Sequence, residues 1–236
     1  MRIILDTERL GEHIHPFSES VEFLRRVARG EDEQTLRLYR PAPNMAFGRR
    51  DKHNPSFEDA AEASRRLGFL PQVRPVGGHA AAYHAGSLVI DHFAPSADAI
   101  SGNNRRFEFF AQFFVQILSS LGFCAEVGEL PGEYCPGEYS VFIHAGEGER
   151  LKIVGTAQRV VSGAWWFSTG IVVEDSAPLR KVTAEVYRHL AIPLEPNTVG
   201  ALSDVIPQIK VEDVEDVVLE GYEKFWTESI IESRRL

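Results

Sequence analysis

Three short segments of this chain of 236 residues carry groups suited to acyl-group chemistry. Gly77 and Gly78 form a turn in which bare backbone N–H groups can approach a ligand closely. Cys135, in the sequence CPGEY, offers a thiol nucleophile, and Lys152, in the sequence LKIVGTAQR, offers a cation that can hold a carbonyl or a phosphate. Together these residues predict a site that handles an acyl group.

The two cysteines of the chain have different surroundings. Cys135 is followed by Pro136 and Gly137, so we expect it to lie in a turn with an accessible thiol. Cys124 follows an apolar helical segment, and we expect it to be a small buried hydrophobe. A cysteine becomes reactive when a nearby cation favours the thiolate, and Lys152 is the candidate for that cation.

The residues that follow the lysine are small or form hydrogen bonds. Gly155, Thr156 and Ala157 allow the strand after Lys152 to run close beside a ligand. Gln158 can donate or accept a hydrogen bond at the far end of this segment. We therefore predict that all four residues contribute to substrate binding.

The glycine turn has similar neighbours. Arg74 precedes it, His79 follows it, and Ala80 continues the loop with a small side chain, so an acyl chain or a nucleotide phosphate could pass over it without obstruction. A Gly-Gly pair alone most often marks a tight turn and nothing more, so the neighbours carry this prediction.

Several other kinds of site are not supported by the sequence. The chain contains no G-x-x-x-x-G-K-[ST] phosphate loop, no G-x-G-x-x-G motif and no G-x-S-x-G nucleophile elbow. Its histidines show no i, i+4 pair with an acid between them, and the cysteines show no C-x-x-C spacing. The histidines considered were His79, His84, His92 and His144. We therefore predict no metal site.

The composition predicts a soluble globular protein with a single domain over residues 1–236. A net charge of -9 and a pI near 5.4 argue against general nucleic-acid or membrane binding. No apolar run approaches the roughly 20 residues that span a bilayer, and the N-terminus does not resemble a signal peptide. Because two cysteines cannot form a disulfide scaffold, we expect a reduced, cytoplasmic location.

Two basic clusters interrupt this acidic chain. One contains Arg49, Arg50 and Lys52, and the other contains Arg105 and Arg106. Isolated surface charges are often only solvated. Either cluster could nevertheless dock an acidic partner on one face of the protein.

Hydrophobic periodicity and capping residues predict alternating types of secondary structure. We predict helices over residues 18–29, 57–67, 107–122, 181–190 and 211–229. We predict strands over residues 3–5, 36–40, 69–73, 87–92, 139–144, 151–161 and 165–173, and a loop-rich passage around 41–51. Because the last three strands follow one another across turns, the predicted fold is α+β, with a mixed, mainly antiparallel β-sheet and packed helices.

At its glycine turn and lysine segment, the chain resembles the biotin/lipoate protein ligase catalytic family. Arg74 with the sequence GGHA is similar to the family's arginine and glycine-rich loop, and KIVGTAQR matches its pattern K-[IV]-x-G-[ST]-A-[QFY]-R. The resemblance implies one class II ligase-like catalytic domain without a C-terminal accessory domain. It also implies that Lys152 contacts the activated acyl carbonyl and that the glycine loop lines an octanoyl or lipoyl pocket.

The segment CPGEY is most similar to the cysteine-dependent octanoyl/lipoyl amidotransferases of this family. This resemblance implies that Cys135 carries the acyl group as a thioester and that no cofactor is required. The implied partners are lipoyl-domain proteins, namely the glycine-cleavage H protein and the E2 subunits of 2-oxoacid dehydrogenases.

Two alternatives remain open at this point. An ATP-dependent lipoate-protein ligase would use the same pocket to form an acyl-adenylate and would need ATP and magnesium. A non-catalytic protein could use the same fold only to bind a lipoyl domain or an acyl group. The sequence does not choose between octanoyl and lipoyl chains, nor does it fix the acyl donor or the oligomeric state.

Overall fold

The computed structural model describes residues 1–6, 17–146 and 148–233. Within these ranges the chain forms ten β-strands, six α-helices and two single-turn 3₁₀ helices, at Pro196–Thr198 and Leu202–Asp204. The strands are β1 (Arg2–Asp6), β2 (Thr35–Tyr39), β3 (Asn44–Phe47), β4 (Leu70–Val73), β5 (Ala81–Tyr83), β6 (Ser87–Pro95), β7 (Ala125–Val127), β8 (Val141–His144), β9 (Arg150–Val161) and β10 (Ala164–Val172). The α-helices are α1 (Phe17–Ala28), α2 (Arg49–Lys52), α3 (Phe57–Arg66), α4 (Asn103–Ser120), α5 (Ser176–Leu190) and α6 (Val211–Ser233).

Seven strands form a large sheet in the order β1-β2-β6-β10-β9-β8-β7. β1 lies parallel to β2, and the other neighbouring strands are antiparallel. The predicted α+β fold with a mainly antiparallel sheet is therefore confirmed. The predicted meander of three successive strands is also confirmed as β8, β9 and β10.

Helices cover both faces of the large sheet. Alternate residues of its strands point to opposite sides and pack against different helices. Ile90 of β6 and Phe167 of β10 belong to an apolar cluster with α4 and α6. Phe93 of β6 and Trp166 of β10 belong to a separate cluster with α1. No described helix combines the length and the apolar character needed to cross a lipid bilayer.

A second, three-stranded sheet has the order β4-β3-β5 and packs against α3 and α5. Its central strand, β3, and the short helix α2 occupy the passage around 41–51 that the sequence predicted as loop-rich, so that prediction was wrong there. Pro41 and Pro43 suggest a loop, and a four-residue strand with every residue buried shows no alternation. The glycine turn lies in the loop between β4 and β5, two strands of this small sheet.

His92 of β6 is buried among aromatic rings. Its ring centroid lies 4.7 Å from that of Trp165 and 5.6 Å from that of Tyr222. Burial lowers the pKa of His92 to about 3, so the folded protein keeps this imidazole neutral at pH values where the unfolded chain protonates it.

The resulting contribution to stability is complete above about pH 6.5, the unfolded pKa, and is lost as the pH falls toward 3. Over this window, we expect the free energy of unfolding of the wild type to fall by up to about 1.4 kcal/mol per pH unit more than that of His92→Phe. Urea denaturation at a series of pH values measures both slopes. His53→Phe, at an exposed histidine, is the control, and equal slopes for the wild type and His92→Phe would contradict the prediction.

Candidate functional site

A cleft of about 510 Å³ opens where the glycine turn, the loop 128–140 and strand β9 meet. Phe107, Tyr139 and Tyr83 add aromatic walls. Of the residues predicted from the sequence, those that line the cleft are Arg74, Gly77, Gly78, Cys135, Lys152, Gly155, Thr156, Ala157 and Gln158. His79 and Ala80 contribute backbone groups to the same assembly, as described below.

The Cys135 sulfur contacts two hydrogen-bond donors. Arg74 Nη2 lies 3.2 Å from Cys135 Sγ, and the backbone N–H of His79 donates to the same sulfur at 3.2 Å. Arg74 is buried, and the same Nη2 donates to the His79 carbonyl at 2.7 Å. Burial acts to lower the pKa of Arg74, but interaction with Cys135 and Tyr83 raises it above its ordinary value. The guanidinium therefore stays charged where it donates to the sulfur.

The sequence predicted that Lys152 is the cation next to the Cys135 sulfur. In the structure, Lys152 Nζ contacts other groups. Its Nζ donates to Glu133 Oε1 at 2.9 Å, to the Tyr134 carbonyl at 2.8 Å and to the Cys135 carbonyl at 2.9 Å. These three bonds use the three protons of the ammonium group. Cys135 has a φ of 44°, so the loop turns back on itself and its carbonyl meets Lys152 while its side chain meets Arg74.

Glu133 organises the loop that carries the thiol. Its Oε1 accepts from Lys152, from Ser140 Oγ at 2.6 Å and from the Gly137 N–H at 3.1 Å, while Oε2 accepts from the Leu130 N–H at 3.1 Å. The carboxylate and the ammonium are both buried. The ion pair therefore fixes the loop between β7 and β8 at several points along its length.

Tyr187 of α5 joins the two loops that form the site. Its hydroxyl accepts from the Cys135 N–H at 2.6 Å and donates to the Ala80 carbonyl at 2.9 Å. Burial raises the pKa of Tyr187, so the phenol keeps the proton that it donates. A helix packed on the small sheet thus holds the thiol loop and the glycine loop together.

The glycine turn is packed tightly behind the sulfur. Gly78 has a φ of 95°, and a Cβ added there would lie 2.5 Å from Cys135 Sγ and 2.6 Å from Arg74 Nη2. Gly48 packs on the Gly78 carbonyl, which leaves no room for a side chain at Gly48 either. Asp51 of α2 anchors this region, since it accepts from the Gly48 N–H at 2.8 Å and pairs with His79 Nδ1 at 2.7 Å.

Gln158 is committed to the opposite rim of the cleft. Its Oε1 accepts from Arg106 Nε at 2.9 Å, and its Nε2 donates to the Asn103 carbonyl at 2.9 Å. Arg106 also donates to the Ala99 carbonyl and stacks on the Trp165 ring. Arg106 therefore links β9 to α4, and of the predicted basic pair only Arg105 is fully exposed.

Sequence reasoning missed three residues of this assembly and misjudged Cys124, which lies outside it. Glu133, Tyr187 and Asp51 act through tertiary contacts that no local pattern predicts. An acid inside a glycine- and proline-rich loop was the only available signal, and it applied to Glu133 alone. Cys124, predicted to be buried, is exposed, because it lies on the outer side of the short strand pair β7-β8.

The buried ion pair yields a stability prediction. Glu133→Ala leaves the Lys152 ammonium buried and without its carboxylate, so we expect it to lower the free energy of unfolding by about 3–5 kcal/mol in urea denaturation. Glu62→Ala removes the partner of Arg65 in an exposed pair at 3.1 Å and should cost at most about 1 kcal/mol. Similar losses in the two variants would contradict the assigned role of Glu133.

The glycine turn yields a second prediction with a control one residue away. Gly78→Ala places a Cβ against the sulfur at a positive φ, and we expect it to cost about 1–3 kcal/mol of stability and to slow alkylation of Cys135 by iodoacetamide. At Gly77 an added Cβ meets no atom within 4 Å, so Gly77→Ala should stay within about 0.5 kcal/mol of the wild type. Unchanged alkylation in Gly78→Ala would show that the turn does not set the position of the thiol.

Comparison with known proteins identifies relatives of this chain. The model of the lipoyl protein ligase A/B catalytic domain matches residues 16–223. The octanoyl-[GcvH]:protein N-octanoyltransferase of Geobacillus kaustophilus is 27% identical over 183 residues, which is 78% of this chain and 62% of the relative. Three further curated relatives carry the same name. The chain thus spans less than two thirds of the length of the Geobacillus relative.

Solved structures share the fold at lower identity. A lipoate-protein ligase A bound with ATP matches with a TM-score of 0.65 and 21% identity, over 95% of this chain and 85% of the other. A chain from the structure of a bipartite lipoate protein ligase and its E2 lipoyl domain, from Thermoplasma acidophilum, matches with a TM-score of 0.62 and 20% identity, over 94% of this chain and 82% of the other. At these identities the likeness establishes the architecture alone.

Proposed function

The chain belongs to the lipoyl protein ligase A/B catalytic-domain family, and we propose that it is a protein N-octanoyl or lipoyl transferase that carries the acyl group on Cys135. The observation that carries this proposal is the Cys135 sulfur on the cleft wall, within 3.2 Å of a buried guanidinium and a backbone N–H. The names of the curated relatives support the octanoyl group as the cargo.

The proposed reaction has two steps that balance in atoms and protons. In the first, the sulfur attacks the carbonyl carbon of an N-acyl-lysine on the donor protein, and the carbon–nitrogen bond breaks. The departing lysine amine takes the proton that the thiol gives up, which leaves a thioester on Cys135. In the second, the neutral amine of an acceptor lysine attacks the thioester, the carbon–sulfur bond breaks, and a proton from that amine returns to the sulfur.

Arg74 and Lys152 take separate roles in this scheme. Arg74 and the His79 N–H stabilise the thiolate as nucleophile in the first step and as leaving group in the second. Lys152 lines the cleft, but its three protons are committed to Glu133 and to two loop carbonyls. We therefore assign Lys152 to positioning Cys135, and its charge also contributes to the field in which an acyl carbonyl would bind.

The rest of the cleft suits an acyl chain. Gly155 and Ala157 of β9 leave space along one wall, and Phe107, Tyr83 and Tyr139 provide apolar surface. The volume of about 510 Å³ falls within the range of small-molecule pockets. A cleft of this volume with apolar walls suits an octanoyl and a lipoyl group equally, so the proposal includes both. The proposed partners are lipoyl domains of the glycine-cleavage H protein and of E2 subunits.

A ligase that forms an acyl-adenylate is the alternative, because a lipoate-protein ligase A bound with ATP shares this fold. This alternative needs ATP and magnesium and does not need a thiol. The two functions therefore differ in whether Cys135 becomes acylated and in whether ATP is required.

The deciding experiment is the intact mass of the protein after incubation with octanoylated H protein in the absence of ATP. We expect one octanoyl increment that hydroxylamine removes and that peptide mapping places on Cys135. Cys124→Ser, at the exposed second thiol, should still form the adduct, and Cys135→Ser should not. Acceptor modification that occurs only with free acid and ATP would favour the ligase, and the absence of any adduct or product would favour a binding protein.

The contact between Arg74 and the thiol yields a kinetic prediction. We expect Arg74→Gln to slow formation of the acyl-enzyme on the order of 10²-fold, the scale seen when one charge-stabilising donor is removed from an active site. Rapid quenching followed by mass spectrometry measures this rate. Arg25→Gln, at an exposed arginine paired with Glu22, serves as the control. An acylation rate in Arg74→Gln equal to that of the wild type would exclude the assigned role.

The exposed basic cluster on α2 yields a prediction about docking. Arg49 and Arg50 are exposed and lie directly between Gly48 and Asp51, which hold the glycine turn. Arg159 lies close enough to Arg49 that the charge of Arg49, after burial, contributes to lowering the pKa of Arg159. The surface beside the glycine turn is therefore positively charged and suits an acidic acceptor domain.

We expect Arg49→Ala with Arg50→Ala to lower the association rate with an acidic lipoyl domain and to reduce the dependence of that rate on ionic strength. Stopped-flow mixing over a series of salt concentrations measures both effects. Arg65→Ala with Arg66→Ala, at the end of α3, removes the same charge from another exposed site. Equal effects of the two double variants would show that net charge, and not this surface, governs association.

A further inference from the structure

A second group of reactive side chains lies at the far end of the strand pair that carries the Cys135 loop. Cys124 immediately precedes β7, Glu126 lies within β7, and His144 ends β8. The thiol sulfur, a carboxylate oxygen and an imidazole nitrogen of these residues all lie within 4.8 Å of one another. None of the three contributes to the cleft described above.

The pairing of β7 with β8 explains why these side chains converge. Ala125 pairs with Ile143 and Val127 pairs with Val141, and these four residues pack with the apolar cluster beneath α4. Cys124, Glu126 and His144 alternate with these residues and therefore point to the outer face of the sheet. The backbone N–H of His144 donates to the Cys124 carbonyl at 3.0 Å. This bond extends the pairing of the two strands and sets these two residues opposite each other.

We propose that Cys124, Glu126 and His144 form a binding site for a zinc ion. A thiolate, an imidazole and a carboxylate are the three ligand types that proteins use for zinc, and a water molecule can complete a tetrahedral set. His144 Nε2 and Glu126 Oε1 are already 3.0 Å apart. An ion would bind the lone pair of a neutral imidazole nitrogen, the carboxylate and a thiolate, and the thiol proton would be released to solvent.

The surroundings of the site leave it open to an ion. The side chains of His144 and Glu126 are 37% and 58% exposed, and Cys124 is exposed, so an ion can enter directly from solvent. Arg150, the register partner of His144 on β9, stacks on the Phe142 ring with its guanidinium carbon 5.5 Å from the ring centre. The Glu126 carboxylate pairs with His144, which is itself one of the proposed ligands, so an ion could bind both groups.

An ion at this site would act on the base of the thiol loop. β7 is a three-residue strand at the edge of the large sheet, and the chain passes directly from it into the loop of Glu133 and Cys135. A zinc ion bound to both strands would hold this edge in place. We therefore expect zinc to raise Tm and to slow hydrogen exchange of the β7 amides.

The test uses the full chain carrying Cys135→Ser, so that Cys124 is the remaining thiol. Cobalt serves first, because its charge-transfer absorption reports a bound thiolate, and zinc then competes for the same site. We expect one ion per chain, loss of the absorption in Cys124→Ala, and an affinity at least about tenfold weaker in Glu126→Gln, which is about 1.4 kcal/mol. Glu149→Gln, at an exposed glutamate near the same edge, is the matched control and should bind as the parent does.

Three outcomes would overturn the proposal. They are cobalt absorption that persists in Cys124→Ala, equal affinities in Glu126→Gln and Glu149→Gln, and zinc binding that leaves both Tm and β7 exchange unchanged. Circular dichroism of each variant establishes that it is folded before binding is compared. No readout depends on acyl transfer, so this test and the test of the proposed function can fail independently.

Discussion

The ion pair between Lys152 and Glu133 is the interaction on which the rest of the site depends. Both charged groups are buried, and charges removed from water are tolerated only where their hydrogen bonds are complete. Here the requirement is met by the loop itself, because its carbonyls at Tyr134 and Cys135 take the other two ammonium protons. The conformation of the loop is thus a consequence of solvating a buried lysine.

Lys152 of β9 binds the backbone carbonyl of Cys135, and the side chain of Cys135 points in another direction. The positive φ at Cys135 directs the sulfur toward the small sheet, where Arg74 and the His79 N–H donate hydrogen bonds to it. The absence of a side chain at Gly78 is part of the same geometry, since a Cβ would occupy the space between the sulfur and the guanidinium. Two charged groups from different sheets therefore hold opposite ends of one residue.

Much of this arrangement could be predicted from the sequence, because residue type carries the signal. The glycine turn, the thiol in its turn and the lysine segment each have a local pattern, and the structure brings them to one cleft. Long periodic segments such as those of α4 and β9 were likewise visible. The strands β3, β5 and β7 were not, because three or four residues are too few to establish a period.

What could not be predicted depends on direction and on contacts between distant segments. The pattern brought a lysine and a cysteine together, but only the backbone geometry shows that the lysine holds the carbonyl and the arginine holds the sulfur. Tyr187 lies 52 residues from Cys135 along the chain, on a helix whose amphipathic pattern marks it only as a core residue. Cys124 was assigned to the core because its neighbours are apolar, whereas strand alternation turns it outward.

The hydroxyl of Tyr187 reduces the conformational entropy that the site loses when a ligand binds. It bonds the thiol loop and the glycine loop to a single helix, so neither loop can move away from the cleft without breaking a buried hydrogen bond. The conformational entropy of both loops is therefore lost when the protein folds and not when a ligand enters the cleft. A partner meets a site that is already ordered, and more of its contact energy remains available for affinity.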